Sequence, residues 1–165
     1  MHHLARLFAR ECAATRGPDA PQAVRRVLHH FLATARRAVR LLNPHPEWPV
    51  AVAPLTPVHA GSRLAGPRAA REWADAEAPN LVAVVRQAAE SGDDDLTIGL
   101  AAAFSHLLLD RGRWDQVRQI RRVAAHVLQR GGNPPHPAAE RVPVPSRARL
   151  AVASRVLLPD KASLG

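Results

Sequence analysis

Apolar residues recur at helical spacing along most of the chain. Leu4, Leu7, Phe8 and Cys12 fall on one side of a helix predicted over residues 3–14, which Gly17-Pro18 stops. Asp19 stands three residues before Gln22, the spacing of a capping box, with Pro21 tolerated in the first turn. Val24, Val27, Leu28, Phe31, Leu32, Ala35, Val39 and Leu42 then hold an i, i+3, i+4, i+7 pattern over about five turns. Asn43-Pro44 ends that helix. From there to residue 67 the pattern is lost among Pro44, Pro46, Pro49, Pro54, Pro57 and Pro67, with Gly61 and Gly66. A loop of this length in a compact domain points to a linker or a segment that wraps the core.

The periodicity returns in the stretch REWADAEAPNLVAVVRQAAESG, residues 71–92. Its reading is a helix from about Arg68 to Ala78, a break at Pro79, and a second helix from Asn80 to Ala89. In that second helix Leu81, Val84, Val85 and Ala88 face inward, and Ser91-Gly92 ends it. On this reading Trp73 fills the corner between two short helices and Asn80 caps the second. The alternative for both is contact with a ligand. Asp93, Asp94 and Asp95 open the next helix, where acids suit the positive end of the dipole. Its buried face is Leu96, Leu100, Ala103, Phe104, Leu107 and Leu108. Arg111-Gly112 is a tight turn, and Trp114, Val117, Ile120, Ala124, Val127 and Leu128 carry the partner helix. The run from Gly131 to Pro135 closes it, and a tail follows with one helix near Ser146 to Leu158.

The expected fold is therefore all-α, built of antiparallel helix pairs. Residues 1–45 form N-terminal helices, 46–66 a proline-rich loop, 67–131 a helical region, and 132–165 a poorly defined tail. Composition agrees with this picture. Of the 165 residues 47% are hydrophobic and only 4% aromatic, with no tyrosine, so alanine and leucine carry the apolar load. The length suits one modest domain.

Charge adds a second pattern. The net charge is +9, and every basic residue but Lys161 is arginine, the bias of a GC-rich coding sequence. Residues 1–45 set eight arginines against Glu11 and Asp19, residues 67–112 set eight acids against four arginines, and residues 113–165 are basic again. Two basic ends around an acidic middle can pair with each other or attract nucleic acid or an acidic partner. The single cysteine, Cys12, excludes an internal disulfide and fits a reducing cytosol. No stretch reaches the roughly 18 apolar residues of a membrane span, and the start lacks a signal-peptide core, so a cytoplasmic location is expected.

Chemistry-bearing constellations are few. His2-His3 and His29-His30 are adjacent pairs whose side chains diverge on a helix, and no H-E-x-x-H or Cys pair accompanies them. His106 and His126 read as ordinary helical histidines. The Asp93–Asp95 run lacks the glycine and distal glutamate of a calcium loop. Cys12 lies on an apolar side with no fitted base, and Ser105-His106 has no strand–turn–helix elbow. No catalytic set, metal site or cofactor is expected. The best candidate is a basic stripe: Arg25, His29, Arg36 and Arg40 near one face of the long helix, with Arg118, Arg121, Arg122 and Arg130 on a later one. Such a stripe tracks phosphates, lies on an anionic membrane, or is simply a solvated face. The absence of interleaved aromatic residues argues against a single-strand binder.

Thr97 to Gln129 resembles a tetratricopeptide-type hairpin, with Ala101, Phe104, Ser105 and Leu108 on the first helix, Gly112-Arg113-Trp114 in the turn, and Val117 and Ala124 on the second. A wider string resembles actinobacterial regulators with an NB-ARC-type nucleotide-binding domain, including the Streptomyces antibiotic regulatory protein class. The opening MHHLARLFARE is similar to the MHDLVRLYARE segment that ends their winged helix. Leu41-Leu42-Asn43-Pro44-His45 matches their LLxPH segment. Trp73, Ala74, Glu77, Asn80, Leu81, Val82, Ala83, Val84 and Val85 match their WLxxERxNLVAAV segment. The order and spacing agree over roughly residues 1–130. His3, Ala78 and Pro79 depart from the pattern, as does the chain beyond Gly131, and no G-x-x-x-x-G-K-[ST] loop occurs. The resemblance implies a connecting region between an upstream nucleotide switch and a repeat array. The function expected is a non-enzymatic protein-interaction or coupling module, with a protein partner or self-association. A basic nucleic-acid-binding protein is the alternative. Trp73, Asn80, Gly112 and Trp114 are the expected corner and cap residues; Arg25, Arg36 and Arg40 are the candidates for phosphate or partner contact.

Overall fold

The computed structural model describes residues 20–43 and 60–131. The helix expected over 3–14, the Asp19 cap, most of the proline-rich loop and the tail from 132 lie outside the described residues. Four helices make up almost all of the rest: α1 (Ala20–Leu42), α2 (Pro67–Glu90), α3 (Asp94–Leu109) and α4 (Trp114–Gly131), with no strand among the described residues.

The apolar spacing of α1 does what it predicts. Leu28, Leu32, Ala35, Ala38 and Val39 are buried, and Val24, Phe31, Leu41 and Leu42 pack against them. α3 is the centre of the fold, with all but a few of its residues buried, including Leu96, Leu100, Phe104, Leu107 and Leu108. Asp93 is its N-cap and accepts from the Leu96 amide at 3.1 Å. Gly112 takes φ 64° in the turn before α4, a conformation that a side chain resists.

α2 corrects the reading of two short helices. It is continuous across Pro79. Ala70, Ala74, Ala78, Leu81, Val82, Val85 and Ala88 all lie on its buried face, so the burial pattern runs through the proline without a phase change. Pro79 sits on the exposed face, where water can satisfy the carbonyl that the missing N–H leaves. Burial on both sides outweighs the local cost. Two site expectations move with it. Asn80 does not cap a helix; it lies in the interior of α2 and donates to Glu77 Oε2 at 3.0 Å. Trp73 fills no corner; half-buried, it sets its ring 6.5 Å from that of Phe31 and tilted by 46°, and Phe31 meets Phe104 edge-on at 6.4 Å. This aromatic row joins α2, α1 and α3.

Named contacts give the helix directions. Arg25 near the start of α1 pairs with Asp93 before α3, and Asn43 after the end of α1 bonds His106 near the end of α3. α1 and α3 therefore run parallel. Gln116 reaches the Ala78 carbonyl and Gln119 meets Arg86, so α2 and α4 also run parallel. Arg130 near the end of α4 comes back to Asp94, making α3 and α4 antiparallel. Each helix packs on the next and on the next but one, whereas α1 and α4 do not meet. The four described helices thus make an open arrangement and not a closed four-helix bundle.

Candidate interaction site between α1 and α3

At 100° per residue Arg25, His29, Arg36, Arg40 and Asn43 fall within a narrow arc of α1. The two ends of that line both touch α3, through Asp93 and His106. The line therefore runs along the seam between two parallel helices rather than over open solvent. The sequence brought these basic residues together correctly, but gave them too free a face.

Each position shows the consequence. The Arg25 guanidinium lies 3.2 Å from the Asp93 carboxylate. His29 is only 4% exposed, because it sits where α1 turns toward the core. Arg36 is half-buried; burial, and Arg40 one turn on, pull its guanidinium below the ordinary arginine value. Arg40 is exposed. At the far end Asn43 Nδ2 and His106 Nε2 are 2.7 Å apart. Burial lowers the His106 pKa, and nearby Asp110 offsets part of that shift. None of His29, Arg36, Asp95 and His106 is without a partner. On the other edge of α1, Arg26 and Arg37 face solvent. α1 and Asn43 together carry five arginines and no acid.

The later basic residues do not join this line. Arg118 pairs with Asp115 on its own helix, and Arg130 lies 3.9 Å from Asp94. Trp114 is also corrected: it is 58% exposed, the one large hydrophobic side chain left open among the described residues, and it closes no corner. At 100° per residue its position lies about 100° from the centre of the stripe that buries Val117, Ile120, Ala124 and Val127.

Two features go beyond the sequence reading, in which the proline-rich loop is a linker or a wrapping segment. The first is a strap. Residues 60–66, the end of the proline-rich stretch, lie against α1, where the Ser62 amide donates to Thr34 Oγ1 at 2.8 Å and Ser62 Oγ meets His30 Nε2 at 3.1 Å. Leu64 packs on the core. A Cβ on Gly61 would collide with the Thr34 nitrogen, so only glycine permits this approach. The second is Arg111, whose side chain is 11% exposed. It donates to Asp75 Oδ1 and to the Arg71 and Leu107 carbonyls, tying α2 to the end of α3.

No group of three or more His, Cys, Asp or Glu able to hold a metal ion occurs among the described residues, and none of the described helices is long and apolar enough to cross a membrane. No protein-family model, curated protein or solved structure matches the chain.

Proposed function

We propose that the chain is a non-enzymatic protein-interaction or coupling module of helical-repeat type, related to or part of a cytoplasmic regulator of the NB-ARC class. The observation that supports this reading most is the packing order. Among the described residues α1 with α2 and α3 with α4 form two antiparallel pairs, and α1 and α4 do not meet, an order that a stack of helical repeats would also have. Exposed Trp114 at one end adds apolar surface that a neighbour would cover. Size-exclusion chromatography with light scattering tests this, alongside binding of an apolar dye. Association beyond the 17.9 kDa chain, or dye bound to the stack ends, is expected. A clean monomer that binds no dye overturns the proposal.

A second reading is a nucleic-acid-binding protein that contacts phosphates through α1. The five arginines of that helix, with no acid among them, favour it. It expects binding that weakens steeply with salt and falls when Arg25, Arg36 and Arg40 are replaced together. Salt-insensitive binding, or none, removes it.

A further inference from the structure

The arginines of α1 differ in what answers them. Arg25 meets Asp93, and Arg36 has a partner within the chain. On the other helices and turns Arg68, Arg111, Arg118 and Arg130 each meet an acid. Arg26, Arg37 and Arg40 are exposed and stand in no ion pair among the described residues. At 100° per residue these three fall with Ala33 within an arc of about 60°, on the side away from buried Leu28, Leu32, Ala35 and Val39. The strap adds a fourth. Ser62 bonds His30 and Thr34, and Leu64 packs on the core, so exposed Arg63 stands beside α1 between the levels of Arg26 and Arg37. Neither α1 nor the strap contains an acid.

We propose that this outer face, Arg26, Arg37 and Arg40 of α1 with Arg63 of the strap, holds the phosphates of a nucleic-acid duplex without reading its sequence. This rests on the nucleic-acid reading and moves its contact from the seam to the outer face, because Arg25 and Arg36 are already engaged. The charge is drawn out rather than gathered. Arg26 to Arg40 spans about 21 Å at ~1.5 Å per residue, and a duplex presents about a dozen phosphate charges over that length. Three other partners fit less well. A protein interface is anchored by a desolvated centre, and between these arginines the face offers only His30 and Ala33. A membrane surface takes up an apolar helix face, and that of α1 is already packed on the core. A single strand stacks its bases on aromatic rings, and exposed Trp114 lies on α4, which α1 does not meet. Guanidinium contacts to phosphate fix a position on the duplex and carry no base information.

The test uses the full chain, a fluorescein-labelled DNA duplex of about 20 base pairs and a labelled single strand of equal charge, read by anisotropy between about 50 and 200 mM salt. Tighter binding of the duplex is expected, with similar affinity for unrelated sequences. R26Q/R37Q/R63Q should weaken it about tenfold or more and flatten the slope of log affinity against log salt by about 2 to 3. R113Q/R118Q/R122Q removes as many exposed arginines from α4 and the turn before it, and should cost less than about threefold with the slope kept. Circular dichroism controls for folding, and R26K/R37K/R63K separates charge from structure: it should keep most of the binding, because lysine also neutralises phosphate. Equal losses from the two glutamine triples, an unchanged salt slope, a lysine triple as weak as R26Q/R37Q/R63Q, or tighter binding of the single strand would each overturn the face and leave the nucleic-acid reading standing. No binding of either DNA sinks both.

Discussion

Asn43 Nδ2 and His106 Nε2 lie 2.7 Å apart although 63 positions separate them in the chain. An amide that donates to a ring nitrogen requires the neutral imidazole there. Burial lowers the His106 pKa from its ordinary 6.5, so the folded state disfavours the proton relative to the unfolded chain. Between the lowered native pKa and 6.5 the unfolded chain binds more protons. Stability from this group is therefore complete above about pH 6.5 and is lost as pH falls through the native value. Urea unfolding of wild type and H106Q across that window checks it: the variant should show a flatter pH dependence. N43A should cost about 1 kcal/mol at neutral pH.

Gly61 is expected to be the least replaceable residue of the strap. G61A places a methyl group against the Thr34 nitrogen and the Ala33 carbonyl carbon of α1, main-chain atoms that cannot swing aside, and against Thr34 Oγ1. A loss of about 1–3 kcal/mol is expected. T34V, nearly isosteric, removes the acceptor of the Ser62 amide and should cost about 1–3 kcal/mol. Denaturant midpoints measure both, and a neutral G61A would show that the strap does not hold this position in solution.

These two sites show what a sequence reading can and cannot reach. The faces of α1, α3 and α4 were legible because burial repeats at 3.6 residues and nothing local contradicts it. Leu28, Leu32 and Val39, and Leu96, Leu100 and Phe104, are buried as their spacing predicts. The Gly112 turn was legible because the chain needs a positive φ there. Pro79 misled because its local cost is visible in the sequence, whereas the burial that outweighs it depends on α1, α3 and α4. Trp114 misled because the apolar list was longer than the face: at 100° per residue it lies about 100° from the centre of the stripe that buries Val117, Ile120, Ala124 and Val127. The stripe of Arg25, Arg36 and Arg40 was read correctly as one line. That the line follows α3 depends on α1 and α3 running parallel, which no pattern within α1 contains. The strap and the Arg111 contacts join segments some 28 to 40 positions apart through polar atoms, and polar pairing leaves no periodic trace.

Arg111 should matter more than any exposed arginine. R111M keeps the apolar stem and removes the donors that reach Asp75 and the Arg71 and Leu107 carbonyls. A loss of about 2 kcal/mol is expected from the polar groups left behind. R118M, which removes an exposed pair with Asp115 three residues away, should stay within about 0.5 kcal/mol. Chemical denaturation of the two variants side by side separates a tie between helices from surface charge.

The continuity of α2 makes the opposite prediction at Pro79 from a break there. If two helices met at that point, Pro79 would favour the start of the second, and P79A would be neutral or destabilising. In a single helix the proline stands in the interior, on the exposed face, with Ala74 and Ala78 buried before it and Leu81 and Val82 after it. Alanine then restores a main-chain donor, removes the ring clash with the preceding turn, and leaves the buried face untouched. P79A should therefore stabilise the fold by about 1 kcal/mol or more and deepen the helical circular dichroism signal. The gain falls short of the full proline penalty to the extent that the native helix has already bent around the ring. A destabilised P79A would return Trp73 and Asn80 to a corner between two helices.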